Sequence, residues 1–237
     1  MPRKKRKSVV DRVRSLEECR DTYEKAMLCG EEDDWSGFES NMTIALVETT
    51  RLLDNQKKAA ADKADIAESR EFLGDCCYEL GSFYLEQDET YQAEGPSQAS
   101  ARKAAPHLRL ALKFGEDEDK VTAAYYKPAV IALSESYTTL HQHDLDIELC
   151  RGTIAKMVAR YNADTPLQND ILVALAQAFN RLNRLSEAEE TYRRIVTICK
   201  ENFGADSEQT RESEEDLQEY LESKVAKICD CQNQGNP

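Results

Sequence analysis

The stretch Leu182–Ile195, LNRLSEAEETYRRI, reads as the end of one helix, a turn, and the start of another. Asn183 to Ser186 make a polar break. Before it Leu172, Leu175, Ala176, Phe179 and Leu182 recur three or four positions apart, and after it Ala188 and Tyr192 do the same, so each side presents one apolar helical face. The same offsets appear upstream in Val130, Leu133, Ser134, Tyr137 and Leu140, with Ile147 one position off the Ala188 register: Phe179 lies 42 residues after Tyr137, and Tyr161-Asn-Ala-Asp164 lies 42 residues before Phe203-Gly-Ala-Asp206. Two separate markers share one period. A period of this length marks a repeat architecture in which each helix pair buries its apolar face against the next.

Further upstream, Leu80, Gly81 and Tyr84 followed by Ala104, Leu108 and Ala111 read as another pair, with an insertion at Glu86 to Ser97. Cys19, Tyr23 and Ala26 followed by Phe38, Met42 and Ala45 form a degenerate first pair. Counting 42 on from Phe179 reaches Leu221, in an acidic helix Glu208–Ile228 with no partner after it, as suits a C-terminal cap with a polar outer face. Breaks at Gly30–Ser36, Asp54–Lys63, Glu86–Ser97, Phe114–Lys120, Gln142–Asp144, Tyr161–Gln168, Asn183–Ser186 and Phe203–Ser207 leave about nine helices. Asp164 and Thr165 ahead of Pro166, and Ser186 with Glu187 and Glu189, are expected to cap helix starts.

Composition points the same way. Hydrophobic residues make up 41% of the 237 positions and charged residues 32%, while nine glycines and six prolines leave few turns for hairpins. No stretch approaches the roughly 18 apolar residues of a membrane span, and no apolar run follows the basic N-terminus as in a secretory signal, so the chain reads as intracellular. In that setting the eight cysteines, scattered through helical patterns, are expected to be free thiols, mostly buried. Net charge is −14, unevenly placed: residues 1–14 hold seven Lys or Arg against one Asp, leaving 24 basic and 44 acidic residues, or −20, for the rest. Such a body repels nucleic acid and anionic membrane and attracts basic proteins.

The paired offsets resemble the tetratricopeptide repeat (TPR), in which a small and an aromatic residue on helix A meet a small and an aromatic residue on helix B. The 42-residue spacing and the elements Phe114-Gly-Glu-Asp117 and Phe203-Gly-Ala-Asp206 resemble the longer repeat of kinesin light chains, their glycines suiting a helix C-terminus. The resemblance implies an all-α fold, a right-handed α-α superhelix of about four helix pairs plus a C-terminal capping helix. It covers residues 10–228, most closely 125–206; residues 1–9 are expected to be a disordered basic tail and 229–237 a disordered C-terminus. Within the tail, Arg3, Lys4, Lys5, Arg6 and Lys7 can serve as a nuclear import address.

Chemistry-bearing constellations are sparse. His141-x-His143 near Cys150, Cys76-Cys77 and Cys229-x-Cys231 lack the spacing of a zinc site, and no nucleophile–histidine arrangement or phosphate loop can be nominated. No catalytic residue, metal or cofactor is therefore expected. The family register instead implies a protein-binding groove lined by helix A positions: Glu17, Asp21 and Glu24 in the first pair, and Asp75, Glu79, Ser82 and Glu86 in the second, with Tyr78 beside them. The third contributes Ile131, Glu135 and Thr138, and the fourth Asp170, Val173, Gln177, Asn180 and Arg181. Co-chaperone relatives hold a C-terminal carboxylate there with Lys, Asn and Arg; acids stand at those positions in the N-terminal half of this chain, which opposes an anionic peptide.

The expected function is a non-enzymatic interaction scaffold whose acidic groove takes a basic or extended segment of another protein, without direct contact to nucleic acid or membrane. Glu79, Glu86 and Glu135 are the electrostatic contacts and Tyr78 or Ile131 the apolar anchors. A nuclear chaperone for histones or other basic proteins is the first alternative, and an adaptor in a motor or cytoskeletal assembly the second. The acids equally serve solubility.

Overall fold

The computed structural model describes residues 13–87, 95–116 and 124–234. The basic segment Arg3–Lys7, the boundary at residue 9, most of the insertion at Glu86–Ser97 and Asp117 of the first FGxD element lie outside them. The described residues contain nine α-helices: α1 Leu16–Glu31, α2 Trp35–Lys58, α3 Lys63–Glu86, α4 Gln98–Glu116, α5 Tyr126–Thr139, α6 His143–Tyr161, α7 Asn169–Arg181, α8 Leu185–Phe203 and α9 Glu208–Gln234, with a 3₁₀ turn Pro166–Gln168 before α7. Two compact units divide the chain, residues 1–87 with 106–129 and residues 88–105 with 130–237.

In the first unit α1 packs on α2 and α2 on α3. Ser15 starts α1 with a capping box, its hydroxyl accepting from Glu18 N while Glu18 accepts from Ser15 N. The apolar spacing of the degenerate pair is real: Cys19, Ala26, Phe38, Met42 and Ala45 are buried in one cluster with Phe72, Cys76, Leu80 and Phe83. Gly81 lets α3 meet α4 closely, since a Cβ there would stand 2.7 Å from Leu108 Cγ.

In the second unit α6 packs on α7, α7 on α8 and α8 on α9. Leu172, Leu175, Ala176, Phe179 and Ala188 are all buried. The cap is fastened to α8 by the stacked rings of Tyr192 and Tyr220, centroids 4.9 Å apart, by a Tyr220 hydroxyl donating to Leu185 O at 2.7 Å, and by Lys224–Glu189 at 2.7 Å. Tyr220, not Leu221, is the buried residue. α9 starts directly as an α-helix, whereas α7 is preceded by a tighter 3₁₀ turn, which shifts the phase of the buried face.

The period is written in the backbone. His141 and Asn183, 42 residues apart, share a positive φ (57° and 58°), and positive φ recurs one half-repeat later at Asn162 (φ 53°, ψ 22°) and, in a different region, at Gly204 (φ 92°, ψ 159°). The two A-to-B turns also share their hydrogen bonds: Gln142 N to Tyr137 O at 2.8 Å matches Arg184 N to Phe179 O at 2.9 Å, and Asp34 N to Cys29 O at 2.8 Å repeats the bond in the first pair. This is the six-to-one closure of a helix C-terminus by a left-handed residue.

Two capping expectations and one glycine role are corrected. Ser186 lies inside α8, which starts at Leu185 because the Asn183 turn delivers Arg184 O to Ala188 N at 3.1 Å. Thr165 makes no side-chain cap, and Asp164 instead accepts from Arg194 Nε at 2.9 Å. Gly204 closes α8 as expected, but Gly115 lies within α4, where a Cβ would meet Tyr126.

Candidate protein-binding groove

Four of the expected groove residues converge. Tyr78, Glu79 and Glu86 lie on one face of α3 and, with Ser82 and Phe83, wall a cavity of about 330 Å³; Met27, Gly30 and Glu31 at the end of α1 and Trp35 and Phe38 at the start of α2 complete it. The A-to-B turn at Asp33 makes this possible by swinging Trp35 back beside α3, its ring 6.1 Å from that of Phe83, while Phe38 stacks on Phe83 at 4.6 Å. Trp35 remains 42% exposed. The lining therefore mixes aromatic rings (Trp35, Phe38, Tyr78, Phe83) with carboxylates (Glu31, Glu79, Glu86).

Burial raises the pKa of the Glu79 carboxyl, and the neighbouring charges of Asp75 and Glu86 push it the same way. Carboxylates crowded in this manner favour a cation between them. Asp75 stands one turn back on α3, half-buried, and bears on the hydroxyls of Tyr23 and Tyr125, whose pKa values burial raises first and Asp75 raises further.

Glu17, Asp21 and Glu24 are exposed on α1, and the second unit holds the expected residues of the third and fourth pairs. Gln177 and Asn180 line a cavity of about 340 Å³ with Val173, Tyr192, Asp216, Glu219, Tyr220 and Ser223, so the fourth A helix faces the cap. Arg181 reaches back to Thr138, its guanidinium donating to Oγ1 at 3.1 Å, which joins groove positions of two successive repeats. Ile131 and Glu135 are half-buried on α5 and line neither cavity.

Sequence reasoning missed three features. Trp35 and Glu31 come from the turn region, which the helix A register does not include. Asp146 is fully buried, accepting from Thr138 Oγ1 at 3.3 Å and Cys150 Sγ at 3.6 Å; burial raises its pKa against the opposing effect of those bonds. An acid in the first turn of a helix ordinarily reads as a dipole partner, and only its place 42 residues before the buried Ala188 points inward. A further cavity of about 550 Å³ opens on the B helices, over Ile154, Val158, Leu175 and Phe179, between Arg151 and Arg194. There the Arg151 and Arg184 guanidiniums lie 5.0 and 4.7 Å from the Phe179 ring centroid, and Glu187 accepts from both.

Six cysteines are free thiols, Cys19, Cys76, Cys77, Cys150 and Cys199 buried and Cys29 half-buried. His141 and His143 sit at the turn with their rings edge-on at 6.1 Å. Among the described residues no group of three or more His, Cys, Asp or Glu is placed to hold a metal ion, and no helix is long and apolar enough to cross a membrane.

The family model of the bacterial transcriptional activator domain matches residues 84–218, more than half of the chain. The chain belongs to this bacterial transcriptional activator domain family. No curated protein matches it. Among solved structures it is similar to a point-substituted form of a Podosopora anserina protein described as a kinesin light chain with nearly identical TPR-like repeats, at a TM-score of 0.50 and 14% identity over 94% of this chain and 100% of that one. A second structure described in the same words, without the substitution, matches at a TM-score of 0.47 and 15% identity, over 92% and 98%. The activator-domain chain thus has the all-α, TPR-like repeat fold that the 42-residue offsets imply, and at this identity the likeness concerns fold alone.

Proposed function

We propose that the chain is a protein-interaction module whose α1–α3 cavity takes a basic segment of a partner protein. The observation that carries this reading is the gathering of Glu31, Glu79 and Glu86 in one cavity with the half-exposed Trp35. Among the described residues no cation pairs with Glu31, Glu79 or Glu86, so charge complementarity there is left for a ligand. Arginine or lysine satisfies the carboxylates, and the aromatic wall of Trp35 and Tyr78 packs its aliphatic stem or guanidinium face.

A Lys/Arg-rich peptide labelled for fluorescence anisotropy tests this. The unaltered protein is expected to bind it with an affinity that falls as salt rises, and Glu79→Lys with Glu86→Lys to weaken it at least ~10-fold, about the loss of one well-placed charge contact. Unchanged binding by a double variant that unfolds at the parent temperature would discard the groove.

Family membership favours a second, narrower reading: the partner belongs to the transcription apparatus. Together with an import address at Arg3–Lys7, this reading makes the module a nuclear regulator, or a chaperone of basic nuclear proteins. Loss of nuclear accumulation on replacing Arg3–Lys7 supports it, and a purely cytoplasmic protein rejects it. The motor-adaptor alternative has only likeness of fold behind it.

A further inference from the structure

We infer that the chain carries its own competing ligand: the basic segment Arg3–Lys7 docks in cis in the α1–α3 cavity and must be displaced by a partner. The inference rests on the reading of that cavity as a site for basic segments. Chain length supplies the first argument. Arg3–Lys7 precede Val13 by six to ten residues, a reach of about 20–33 Å in an extended chain. The cavity wall Met27–Glu31 lies about 17–23 Å along α1 from Leu16. Val13 precedes Leu16 by three residues, up to ~10 Å of further path, so a chain that doubles back beside α1 brings the outer cations Arg3 and Lys4 level with Glu31 and Glu79 and strings Lys5–Lys7 along α1 before them.

Charge supplies the second argument. The segment carries five cations without an acid, and the route it would follow passes Glu17, Asp21 and Glu24, all exposed on α1, before reaching the cavity carboxylates. The cavity offers what such a segment needs at its end, acids with an aromatic wall, in Glu31, Glu79, Glu86, Tyr78 and Trp35. A tether of this length holds the segment at an effective concentration in the millimolar range, enough to fill a site of modest affinity. The segment of a second copy has the same chemistry but lacks that advantage.

Trp35 is the chain's sole tryptophan and lines the cavity, so its emission reports occupancy directly. The unaltered protein is compared with a full-length variant carrying Arg3→Gln, Lys4→Gln, Lys5→Gln, Arg6→Gln and Lys7→Gln, each titrated with a labelled peptide of residues 1–12, MPRKKRKSVVDR. The neutralised variant is expected to bind the peptide at least ~10-fold more tightly than the unaltered chain. Its Trp35 emission should differ from that of the unaltered chain at low salt and converge with it at high salt. Adding Glu79→Gln and Glu86→Gln should abolish both differences.

Equal, measurable binding by the two full-length forms overturns docking in cis and leaves the cavity reading standing. Binding by neither form overturns both. An emission difference that grows with protein concentration assigns the segment to a neighbouring copy and overturns the cis arrangement.

Discussion

Glu79 sits half-buried on α3 with Asp75 and Glu86 to either side, and burial is the first cause of its raised pKa. An acid whose folded pKa exceeds its unfolded value costs stability once the unfolded chain ionises more readily than the folded one. That cost is absent below the unfolded pKa, grows as pH rises through the folded pKa, and is complete above it. Glu79→Gln is therefore expected to raise the unfolding temperature at about pH 7 and to lose that advantage towards about pH 4, near the ordinary carboxylate range. Thermal unfolding of parent and variant at the two pH values checks this, and equal differences at both would place the strain elsewhere. Glu79, Tyr78 and Glu86 were legible from a register of A-helix positions because three residues of one helix keep their face whatever packs against it. Trp35 and Glu31 were not, since their place beside α3 depends on how the α1–α2 turn folds back.

At the scale of helices, the approach of α3 to α4 hangs on Gly81. A methyl group there would stand 2.7 Å from Leu108 Cγ and 2.8 Å from its Cδ2, inside any real contact, so the helices must part or Leu108 must leave its rotamer. Gly81→Ala is expected to destabilise by about 1–3 kcal/mol, as overpacking does. Adding Leu108→Ala removes the clashing atoms, so the double variant should show a smaller cost than the two single losses combined; strict additivity in chemical denaturation would mean that the pair does not touch. Helices and their pairing could be read from the 42-residue offsets because small and large residues at fixed spacing are the packing itself. Helix starts could not. Ser186 and Thr165 have the right chemistry for caps, but the Asn183 turn had already begun α8, and Arg194 draws Asp164 away from the 3₁₀ start.

For the molecule as a whole, the fold is one supersecondary unit repeated with drift. The third and fourth pairs keep their period to the residue, the second is widened between α3 and α4, and the first retains the buried spacing with much altered identities. The charge is divided as unevenly as the repeats, with cations concentrated in residues 1–14 and a −20 balance in the rest. Binding to a basic partner should accordingly weaken with added salt at every stage, from encounter to docking.

His141 and Asn183 close their helices with the same dihedral and the same bond pattern, so the backbone arriving at one can depart from the other. They are interchangeable splice points. A chain with residues 142–183 duplicated in tandem meets matching geometry at the new junction and keeps α9 as its terminus; it should fold with proportionately more helical ellipticity and cooperative unfolding no weaker than the parent's. Loss of cooperativity would show that the two turns are alike only in shape. Growth by such steps lengthens the protein without redesigning any interface, which makes its size a quantity counted in whole modules.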